Sequence, residues 1–120
     1  MKKWPKPNAQ GFFDKRKALA YRYETTVLKV EGLILQVGEL EWVSAVSIAP
    51  KSNDKGTYIA MSDGLRLQPD NHLRTREQAL NAMRERIKSV TRANSPGAYG
   101  HDWELVNTWA EAVEHQLELF

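Results

Sequence analysis

The chain has 120 residues, 42% of them hydrophobic and 27% charged, and a net charge of +2. One hydrophobic core fits that length, and the balance of apolar and charged residues excludes a wholly disordered, collagen-like or membrane-embedded chain. With no cysteine in the sequence, a disulfide framework, a cysteine nucleophile, a thiolate zinc site and cysteine-bound iron–sulfur clusters are excluded together.

The start, Met1-Lys2-Lys3-Trp4-Pro5-Lys6-Pro7, is basic, but no apolar stretch of secretory length follows it, and no later apolar run approaches a membrane span. The expectation is a cytoplasmic protein without a membrane partner. Pro5, Pro7, Asn8 and Gly11 forbid a helix of any length, so residues 1–11 are expected to form an extended basic arm ahead of a single domain, residues 12–120. Asp14 is placed to cap a short helix over Lys15 to Leu19. From Tyr21 to Val30 aromatic and β-branched residues crowd together and predict a strand.

Turn signals at Glu31-Gly32, Gly38-Glu39 and Pro50 to Gly56 bound two further apolar runs, Leu33 to Val37 and Leu40 to Ala49. Within the second run Leu40, Trp42, Val46 and Ile48 alternate onto one face. Thr57 to Met61 predicts another strand, and Asp63-Gly64 a hairpin turn before Leu65-Arg66-Leu67. Strands joined by such short turns form an antiparallel meander, because parallel neighbours need longer crossovers. After Pro69 the period lengthens. Thr75 with Gln78 fits a capping box, and Ala79, Leu80, Met83, Ile87 and Val90 recur at helical spacing. Asn94-Ser95-Pro96-Gly97 ends that helix, and Asp102 is placed to cap a second one whose apolar face is Val106, Trp109, Ala110, Val113, Leu117 and Phe120. The predicted class is α+β, an antiparallel meander of four to five strands followed by two C-terminal helices packed on one face, with Met83 and Trp109 in the same core.

Catalytic signals are weak. The histidines are His72, His101 and His115, none in a nucleophile motif, and Ser62-Asp63-Gly64 reads as turn chemistry with no base that the sequence can set beside the serine. Glu111, His115 and Glu118 share one face of the last helix, but no further ligands are evident, so no metal is expected. The glycines are scattered singly and form no phosphate loop, and no cofactor is implied.

Charge is the most informative feature. Residues 1–30 carry eight Lys or Arg against two acids, whereas residues 101–120 carry five acids and no Lys or Arg. Either the two ends neutralise each other within the monomer, or the polarity faces a partner. The first 23 residues interleave Lys2, Lys3, Lys6, Lys15, Arg16, Lys17 and Arg22 with Trp4, Phe12, Phe13, Tyr21 and Tyr23, a mixture able to neutralise phosphates and stack bases unless the aromatic rings belong to the core. Arg84, Arg86, Lys88 and Arg92 add a second basic set on or beside the first helix, of which Arg84 and Lys88 are the candidate contacts. The expectation is a small non-enzymatic binding protein that engages nucleic acid in a regulatory or accessory role. The alternative is a protein-binding inhibitor or adaptor that docks through a sheet edge, the Trp-bearing arm or the acidic C-terminal helix, with Trp4, Glu111, Glu114 and Glu118 as its contacts.

Overall fold

Alternation along two long strands splits the apolar residues between opposite faces of one sheet. The computed structural model describes residues 3–50, 61–67, 72–94 and 100–118, with 114–118 described by their backbone. A 3-10 turn at Lys15–Lys17 leads into strands β1 (Leu19–Glu24), β2 (Leu28–Gly38), β3 (Glu41–Pro50) and β4 (Met61–Ser62), followed by helices α1 (Arg76–Asn94) and α2 (Gly100–Glu118). The strands lie antiparallel in sequence order, β1-β2-β3-β4. The α+β meander followed by two helices is the architecture that the sequence predicts.

Leu28, Val30 and Ile34 of β2, with Val46 and Ile48 of β3, form one buried cluster with Leu80, Met83 and Ile87 of α1 and with Val106, Trp109 and Val113 of α2. Met83 and Trp109 therefore share a core, and Trp103 of α2, which the periodicity does not single out, joins it. Leu33, Leu35, Val43 and Ala45 point to the opposite face, where Phe13 and Leu65 cover them. The Phe13 N–H donates to the Leu65 carbonyl at 2.8 Å, so two irregular segments together cover the apolar part of the face that the helices leave bare.

The turns depart from the sequence reading in four places. Tyr21 to Val30 is not one strand but two, because Thr25 makes a turn: its Oγ1 accepts from the N–H groups of Val27 at 3.3 Å and Leu28 at 3.0 Å. Glu31-Gly32 lies inside β2, opposite Arg22 and Tyr21, rather than in a turn. Gly32 is needed for close approach of α1, since a Cβ there would overlap the side chain of the fully buried Met83. Leu40 sits in the β2–β3 turn and is 63% exposed, whereas Trp42, Val46 and Ile48 do face the helices. Asp63-Gly64 makes no hairpin; the Asp63 N–H donates to the Val46 carbonyl at 2.8 Å, and the chain then crosses the second face. Gly64 is kept small by the ring of Phe12, into which a Cβ would project.

β4 meets the strand expected over Thr57 to Met61 at Met61; residues 51–60 lie outside the described residues. At the start of α1 the Thr75 hydroxyl accepts from the Gln78 N–H at 3.1 Å, and the Gln78 side chain accepts from the Arg74 N–H at 2.8 Å, one residue earlier than a capping box would have it. The α1 end is closed by Asn94, whose Nδ2 donates to the Val90 carbonyl at 2.8 Å. Asp102 is not the cap of α2, which begins at Gly100; it lies in the first turn, where a carboxylate still meets the positive end of the helix dipole. Leu117 and Phe120 fall outside the described side chains.

Candidate nucleic-acid interface

The basic segment is shaped by one carboxylate. Asp14 Oδ1 accepts from the Arg16 N–H at 2.9 Å, capping the 3-10 turn at Lys15–Lys17, and the Arg16 guanidinium returns to both oxygens of Asp14 at 2.9 to 3.3 Å. The side-chain bond from Arg16, followed by the backbone bond, holds the Asp14 carboxyl below its ordinary range, and the same pairing raises Arg16. Arg16 nevertheless remains 90% exposed.

On either side of Arg16 the two lysines diverge. Lys15 Nζ donates to Ser62 Oγ at 3.3 Å, over the second face of the sheet. Lys17 instead borders an open hollow of about 270 Å³ together with Lys3, Trp4, Leu19, Gln36 and Trp42. Trp4 is half-buried there, rather than projecting on a free arm, and Trp42 is half-buried too. Residues 3–7 have no regular structure, and Asn8 closes residues 8–12 into a turn. Its Oδ1 accepts from Gln10 and Phe12 at 3.0 Å each, and Gly11 adopts the left-handed φ of 88° that the turn demands. Lys6 is exposed, and Lys2 lies outside the described residues.

The other aromatic residues of the segment are occupied within the domain. Phe13 is buried, Tyr21 and Tyr23 pack against the helix-side core, and Tyr23 stacks on Trp109 with ring centroids 5.4 Å apart at 10°. Phe12 is half-buried with the Arg66 guanidinium 5.8 Å over its ring. Among the described residues, Trp4 and Trp42 are the two half-buried indoles that border a common hollow.

Arg22 and the α1 cations are likewise engaged elsewhere. Arg22 meets Glu31, its cross-strand partner, at 2.7 Å, and beside them Glu24 faces Lys29 in the register, so that half of the second face alternates in sign. On the helical layer Arg84 donates to Asn81 Oδ1 at 2.7 Å, Arg86 contacts Asp63 at 3.3 Å, and Lys88 approaches Glu111 at 3.6 Å. The structure thus gathers Lys3, Trp4 and Lys17 around one hollow with Lys15 and Arg16 beside it, and leaves Arg22, Arg84 and Lys88 apart. Of the protein-partner candidates, Glu111 is exposed and paired with Lys88, while the side chains of Glu114 and Glu118 lie outside the described residues. The acidic helix thus meets Lys88 of α1 through Glu111.

Two features escaped the sequence reading. Trp42 reads as an ordinary strand residue, because only folding brings the start of β3 beside the arm. Ser47 and Ser62 are 15 positions apart, yet the β3–β4 register sets them opposite each other with their Oγ atoms 3.0 Å apart. Among the described residues no group of three His, Asp or Glu is arranged to hold a metal ion, and no helix is long and apolar enough to cross a membrane. Comparison with protein-family models, curated proteins and solved structures finds no match to this chain.

Proposed function

We propose that the chain is a small, non-enzymatic, cytoplasmic binding protein for single-stranded nucleic acid, acting in a regulatory or accessory role. The observation that carries this reading is the hollow bordered by Lys3, Trp4, Lys17 and Trp42, with Lys15 and Arg16 on the adjoining turn. Two indole rings beside a cluster of exposed cations supply the two things that such binding needs, a planar surface for a base and charge for the phosphates that flank it. A duplex holds its bases stacked and paired, so a stacking site of this kind favours a single strand.

Tryptophan fluorescence, titrated with short DNA and RNA oligonucleotides at several salt concentrations, tests the proposal. Binding should quench the signal, and replacing Lys15, Arg16 and Lys17 together by Ala should weaken it across sequences and flatten the salt slope by up to about 2, since fewer counterions are released. Trp4→Ala should remove stacking worth about 1 to 3 kcal/mol while leaving the slope unchanged. Absence of binding to any oligonucleotide at about 50 mM salt, or equal affinity and slope for wild type and triple variant, overturns the reading.

A further inference from the structure

A second arrangement lies on the other side of the same 3-10 turn. Lys15 Nζ is 3.3 Å from Ser62 Oγ, which in turn is 3.0 Å from Ser47 Oγ, so an ammonium and two hydroxyls form a continuous row across the second face. We propose that Lys15, Ser62 and Ser47 form a binding site for a phosphate oxyanion, supplied by the backbone of the bound strand.

The direction of the hydrogen bonds supports an anion. An ammonium has only donors, so the Ser62 oxygen must accept from Lys15. Whichever hydroxyl donates in the Ser47–Ser62 contact, one of the two protons stays available to a ligand, and Lys15 keeps two further N–H donors. The row thus offers donors both at the ammonium and at a hydroxyl. An oxyanion is the ligand that two such donors share.

Among the described residues, the carboxylates flanking the two serines are paired with arginines. Glu31, opposite Ser47 in the register, is taken by Arg22 at 2.7 Å, and Asp63, next to Ser62, is taken by Arg86 at 3.3 Å. Lys15 and Lys17 leave the same 3-10 turn toward different partners, one toward Ser62 and the other toward the Trp4 hollow. For a strand held at the hollow by Lys17, Lys15 is a neighbouring cation two residues away on the same turn. Only the owner of the phosphate rests on the nucleic-acid reading; the oxyanion site stands on its own geometry.

NMR titrations with inorganic phosphate and, separately, with a short oligothymidylate test the site. Backbone amides of Ser47 and Ser62 should shift with both. Ser62→Ala and Ser47→Ala should each weaken both interactions by about five-fold without changing the salt slope for the oligonucleotide, because no charge is lost. Lys15→Gln should weaken them as well and lower that slope by about 0.7. Spectra of the core residues report that each variant is folded. Shifts at these residues with phosphate but not with oligothymidylate would keep the oxyanion site and overturn its assignment to a nucleic-acid backbone. No shift with either ligand, or wild-type affinity in a folded Ser62→Ala or Ser47→Ala variant, would overturn the site itself.

Discussion

Trp109 is 6% exposed and stacks on Tyr23, so α2 is joined to the edge strand β1 by a pair of rings as well as to the common core. Truncating it to Ala should cost about 3 to 5 kcal/mol, comparable with the whole stability of a small domain. A melting temperature equal to that of the wild type would contradict the placement. Gly32 illustrates a different residue-scale constraint. Its neighbours Val30 and Ile34 project toward the helices, and so would any side chain at position 32, but Met83 already fills that space. A glycine inside a strand can mean a turn or a close approach, and only the partner across the gap distinguishes the two.

At the scale of elements, the basic turn at Lys15–Lys17 is too short to hold itself, and Asp14 holds it from below. The Asp14 carboxyl is depressed in the folded chain, so its contribution is present above the ordinary aspartate range and is lost as pH falls through the lowered value. An NMR titration of Asp14 should show this midpoint, and Arg16→Ala should move it upward, since the Arg16 side chain is the largest cause of the depression. An unmoved midpoint would mean that the backbone bond alone sets it. The Thr25 turn shows the same economy, with one hydroxyl accepting two N–H groups to divide what composition presents as a single strand.

In the whole molecule, two layers of different character enclose the sheet. Among the described residues, two amphipathic helices pack on one face, whereas Phe13 and Leu65 cover Leu33, Leu35, Val43 and Ala45 on the other, beside a polar row that includes Arg22, Glu31 and Ser47. Charge follows this division: Lys88 and Glu111 meet on the helical layer, and Lys15 reaches over the opposite face. The arm belongs to the fold to the extent that Trp4 is half-buried against the end of the sheet. Removing residues 1–7 should therefore lower stability by about 1 to 2 kcal/mol in urea unfolding, through the apolar surface uncovered, and weaken oligonucleotide binding in parallel. An unchanged unfolding midpoint would show that Trp4 contributes nothing to the domain.

The sequence by itself determined the α+β class, the strand-then-helix order and the two amphipathic helices, because Met83, Ile87, Val106 and Trp109 repeat at a period that only a helix can bury on one side. The Gly38-Glu39 turn and the cap at Thr75 were legible for the same reason, since their chemistry acts within a few residues. Tertiary structure alone decided the rest. Whether Phe13, Tyr21 and Tyr23 would face a partner or the core depended on which surfaces folding brought against them, and composition is the same either way. The meeting of Trp4 with Trp42, and of Lys15 with Ser62 and Ser47, depends on strand register and on the path of an irregular segment. Contacts between residues far apart in sequence leave no local period or spacing, so the candidate site became visible only in the fold.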